Sequence, residues 1–69
     1  MEVMMFRAGQ KIAVIGIAQD HGDMPPYPYA EDGVIVRAPR GWRVPLGSQV
    51  VRFADGIMII TRESQIIPR

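Results

Sequence analysis

Hydrophobic positions in this chain come in short runs separated by glycine, proline and acidic residues, with no run carrying the three-and-four spacing of an amphipathic helix. The runs are rich in valine and isoleucine and bounded by turn residues, which is the strand signature. The pattern predicts strands at about Val3–Phe6, Lys11–Ala18, Gly33–Ala38, Gln49–Ala54, Ile57–Thr61 and Ser64–Ile67. Ala8-Gly9 and Leu46-Gly47 each place a glycine just ahead of a strand. Asp55-Gly56, between two apolar runs, predicts a hairpin with a type I′ turn. Arg62 to Gln65 has room for one tight helical turn before the last strand.

Short strands with no helix to cover them predict an all-β domain, a small five- to six-stranded barrel that closes its apolar sheet edges. It takes in residues 1–69 as a single domain, with a long loop at 19–32. Alternation assigns Val34, Val36, Val51, Phe53, Ile57 and Ile59 to the inside. Ile35, Arg37, Val50, Arg52, Met58, Ile60 and Arg62 then face outward. That outer mixture of aliphatic and arginine side chains reads as a half-buried second face with snorkelling arginines, as a protein interface, or as a nucleic-acid stripe.

Length sharpens this picture. A chain of 69 residues buries only about 60% of its unfolded surface, so a lone core is marginal. There is no cysteine and one histidine, His21, which removes disulfides, thiolate zinc sites and multi-histidine sites as staples. Oligomerisation is the remaining staple, and the terminal strands Val3–Phe6 and Ile66–Ile67 are its expected route. A hydrophobic fraction of 48% argues against disorder. Ile12 to Ala18 falls well short of the roughly 20 residues of a membrane helix, and Met1 to Phe6 has no signal-peptide pattern. The expectation is a protein that is cytoplasmic or virion-associated, not secreted and without membrane contact. A formal charge of +1 gives no general attraction to nucleic acid.

Candidate chemistry concentrates in residues 19–33. Asp20, His21 and Asp23 could hold a divalent ion, with Glu31 and Asp32 on the far side as further ligands. The same residues equally make a polar turn leaving a strand. No metal or other cofactor is expected. Ser48, Thr61 and Ser64 stand in no nucleophile motif, so no catalytic residue is assigned and the sequence points away from an enzyme. Met24, Pro25, Pro26, Tyr27, Pro28 and Tyr29 form a stiff, extended, aromatic segment. It is either a contact loop, with prolines lowering the entropy of binding and tyrosines as anchors, or a cap over one end of the barrel. Arg40, Trp42 and Arg43 make the second candidate. The only tryptophan, between two arginines at a turn, is an exposed contact hot spot, a barrel cap, or a stacking platform for a base.

The second half of the chain resembles the GroES-type co-chaperonins. Gly33-Val34-Ile35-Val36-Arg37-Ala38 is similar to that family's G-x-V-x-A-V-G strand. Val44-Pro45-Leu46-Gly47 through Phe53 looks like its V-K-x-G-D-x-V-x-F element. Gly56 through Ile67 parallels the closing E-x-L-I-L-x-E-S-D-I-L run, with Glu63 and Ser64 matching directly. The family is longer, its Y-G-G stretch is replaced by Ala54-Asp55-Gly56, and its aliphatic docking tripeptide has no counterpart in Met24–Tyr29. The resemblance implies a small oligomerising barrel, GroES-like or SH3-like, whose end strands bridge subunits. The sequence therefore predicts a non-catalytic protein-interaction and assembly module, an accessory component of a larger structure such as a viral capsid or tail. A diverged co-chaperonin-like cap and a nucleic-acid-binding small barrel are the alternatives.

Overall fold

The computed structural model describes residues 6–18 and 27–69. Five antiparallel strands form one sheet: β1 (Lys11–Ala18), β2 (Tyr27–Val36), β3 (Ser48–Phe53), β4 (Met58–Arg62) and β5 (Ile66–Pro68). Their spatial order is β4-β3-β2-β1-β5. The edge strands β4 and β5 are consecutive in the chain, joined only by a 3-10 turn at Glu63–Gln65. In a flat sheet those edges would lie about 19 Å apart, whereas a turn of this kind advances roughly 6 Å. The sheet must therefore roll until its edges approach, and the turn packs against β1. The result is a small all-β barrel, as the strand pattern predicts.

The strands expected at Gln49–Ala54, Ile57–Thr61 and Ser64–Ile67 shift by one or two residues, and two elements depart further from their expected bounds. Of the proposed strand at Val3–Phe6, only Phe6 lies among the described residues, where it is irregular and packs on the core. β2 begins at Tyr27, so residues 27–32 belong to a strand and not to the loop expected at 19–32. Pairing explains how Pro28 is accommodated. β2 pairs with β1 from Tyr27 to Val34 but with β3 only from Gly33 to Val36. Over Tyr27–Asp32 it is an edge, and an edge tolerates a residue without an amide hydrogen. β5 covers β1 only from Ile12 to Val14, so Ile15–Ala18 and Tyr27–Ala30 form a two-stranded arm beyond the five-stranded part.

The core consists of Ile12, Val14, Ile35, Val51 and Ile66, with Phe6, Phe53 and Ile59 packed against it. Here the expected facing of β2 is wrong. Ile35 is buried at 2% exposure, while Val34 and Val36 are half-buried on the other face. The register pairs Ile35 with Val51, and opposite residues share a face. Val34-Ile35-Val36 offers no polar residue to mark the outside, and a one-residue slip turns every side chain over. Val51, Phe53 and Ile59 do face inward, and Arg37, Arg52, Met58, Ile60 and Arg62 are exposed. Val50 has outward parity yet is buried at 2%, and it lines a small hollow with Ala38 and Val44 of the β2–β3 connection. Ile57 is exposed at 57% since it belongs to the hairpin turn.

That turn is not type I′. The Phe53 carbonyl accepts the Gly56 N–H at 2.9 Å, and the Ile57 carbonyl accepts the Phe53 N–H at 2.9 Å. Only Gly56 has a positive φ, whereas type I′ needs two such residues. The geometry is a three-residue loop closed by a left-handed glycine, and Asp55 Oδ1 steadies it by accepting the Ile57 N–H at 3.0 Å. At the other end of β3, Glu63 accepts a hydrogen bond from Gln49 Nε2 at 2.6 Å and donates its N–H to the Gly47 carbonyl at 2.9 Å. These bonds fasten the 3-10 turn to the start of β3.

Candidate protein-contact surface

The turn at Pro39–Trp42 is closed by the Trp42 N–H donating to the Pro39 carbonyl at 3.0 Å. Gly41 has φ of 90°, a conformation that a side chain resists, so the glycine fixes where the next residue projects. Trp42 is 39% exposed and is flanked by the exposed Arg40 and Arg43. A second turn follows, in which the Ser48 N–H donates to the Pro45 carbonyl at 3.1 Å, and it leaves Leu46 fully exposed. The β2–β3 connection thus presents an indole and an aliphatic tip among guanidinium groups. The single ion pair among the described residues joins Arg69 to Asp32, so Arg40 and Arg43 have no carboxylate partner there.

The other candidate segment divides. Met24, Pro25 and Pro26 lie outside the described residues, as do Asp20, His21 and Asp23. Tyr27 and Pro28 belong to the backbone of β2. Tyr29 lies on the two-stranded arm, 42% exposed, with its ring over Gly16. Tyr29 and Trp42 therefore stand on different elements, one on the arm and one on the β2–β3 connection. In the sequence pattern Leu46 stands only as part of the Leu46-Gly47 turn. Its signal was an aliphatic residue inside a turn, where no strand face could bury it.

Among the described residues no three His, Cys, Asp or Glu side chains stand close enough to hold a metal ion. Glu31 and Asp32 are exposed, on opposite faces of β2, where they pair with Val14 and Ala13. Thr61 is buried at 7%, and Ser64 is exposed on the 3-10 turn. No described helix is long and apolar enough to cross a membrane, which says nothing of spanning by strands. No protein-family model matches this chain, and it shows no significant similarity to a curated protein or a solved structure.

Proposed function

We propose that the protein is a non-catalytic contact module whose main anchor is Trp42. The observation that carries this reading is the tryptophan held on a glycine-fixed turn, part exposed between two arginines. Trp and Arg are the residue types that dominate interface energies, and a fixed turn limits the entropy lost on binding. Leu46 beside the same strand entry and Tyr29 on the arm extend the surface that a protein partner can cover. A barrel with so few buried side chains gains stability from association, and β5, three residues long with Ile67 exposed, offers an edge for a second copy. The setting that suits such a module is an accessory component of a larger assembly such as a viral capsid or tail.

Trp42 is the only tryptophan, so its fluorescence reports on this site alone. Titration with the partner should shift its emission to the blue, and Trp42→Ala should abolish capture of that partner while the fold persists. Capture that survives Trp42→Ala unchanged would remove the anchor role. Sedimentation at micromolar concentration should show a defined multimer, and a stable monomer would discard the association part of the proposal.

A further inference from the structure

A cleft of about 940 Å³ shares no residue with the Trp42 turn. Its cations are ordered by the sheet. Lys11 pairs with Val34 across β1 and β2, and Val34 pairs with Arg52 across β2 and β3. Directly opposite residues project from the same face, so Lys11 and Arg52 flank Val34 about 10 Å apart. Arg69 adjoins them, its N–H donating to the Lys11 carbonyl at 3.1 Å. The residue between these cations is the apolar Val34, and the half-buried Phe53, turned toward the core, lines the same cleft from the inner row. Asp32 is the one carboxylate in the lining, bonded to Arg69 at 3.0 Å with its side chain 78% exposed.

We infer that this cleft docks an acidic peptide segment of a partner protein, with a carboxylate between Lys11 and Arg52 and an apolar neighbour on Val34. Charge complementarity selects the sign: the lining carries three cations and one anion, more positive charge than the +1 of the whole chain. Lys11 and Arg52 have no carboxylate partner among the described residues, so they are available to an incoming one. The chemistry favours peptide over nucleic acid. A polyanion would run past the exposed Asp32 carboxylate, and the row Lys11–Val34–Arg52 carries no aromatic ring where base stacking calls for several. An alternating acidic and apolar segment satisfies both the cations and Val34.

The test uses a fluorescein-labelled peptide alternating glutamate and leucine, with fluorescence polarisation for affinity and amide chemical shifts for location. Binding should weaken with salt, and the shifts should centre on Lys11, Gly33 and Arg52. The double variant Lys11→Gln/Arg52→Gln should lose about tenfold in affinity, as expected for two partly exposed charge pairs, with an unchanged melting curve. Trp42→Ala should leave peptide affinity unaltered, which separates this cleft from the contact surface proposed above. No binding at low salt, shifts centred elsewhere, or equal affinity for a single-stranded oligonucleotide of the same charge would overturn the inference.

Discussion

The Tyr29 ring lies directly over Gly16: a Cβ added to that glycine would sit 2.9 Å from the Tyr29 hydroxyl oxygen. The two residues are opposite one another in the arm, and the glycine makes the seat for the ring. The atoms approached are the far end of a side chain that is 42% exposed, so the ring has room to swing away. Gly16→Ala should therefore cost no more than about 1 kcal/mol in denaturant unfolding, while the tyrosine ring resonances shift clearly. A loss comparable to a core truncation would show that the ring is locked in place.

Gly33→Ala should behave differently. Its Cβ would meet Val51 Cγ1 at 2.6 Å and the Arg52 carbonyl oxygen at 3.1 Å. Val51 is fully buried and a backbone oxygen does not rotate away, so the strands must separate. Urea unfolding should show a loss of about 2–3 kcal/mol, the usual range for overpacking. For a barrel this small, such a loss leaves much of the chain unfolded near body temperature.

The facing of β2 can be checked by a matched pair. Ile35→Ala should cost about 3 kcal/mol, since it empties a fully enclosed site. Val34→Ala, on the half-buried face beside Arg52, should cost about 1 kcal/mol. Equal losses, or the reverse order, would mean that β2 pairs in the other register.

The Arg69–Asp32 pair, 55% and 78% exposed at its side chains, should matter little to stability. Asp32→Asn is expected to change unfolding free energy by less than about 1 kcal/mol, with no more than a slight dependence on salt.

Trp42→Ala should cost binding more than stability. A central tryptophan anchor contributes about 2 kcal/mol or more to association. The indole is still 39% exposed, so its removal should lower stability by less than the roughly 3–5 kcal/mol of a buried aromatic. A melting temperature that collapses with the variant would assign Trp42 to capping the barrel.

Much of the strand layout was legible in the residues. Lys11–Ala18 is both the predicted and the observed β1, and the 3-10 turn stands within Arg62–Gln65 where the sequence leaves room for it. These features are local: a β-branched run between turn residues favours extended backbone whatever surrounds it. The proline-tyrosine segment was less legible. Pro28 and the tyrosines around it suggested a stiff loop, and only the one-sided pairing of Tyr27–Asp32 with β1 allows that stretch to be a strand. The cationic cleft was invisible, because Lys11, Arg52 and Arg69 are far apart in sequence and meet only through three pairings in register.

The sequence alone thus determined that the chain is all-β, that its core is small, and that its sole tryptophan sits at a glycine turn between arginines. Tertiary structure decided which face of each strand is inside. In Val34-Ile35-Val36 and Val50-Val51 every side chain suits burial, so no local preference separates the two faces. Only the pairing of Ile35 with Val51, and the rolling forced by a three-residue link between the edge strands, selects the one that closes the core.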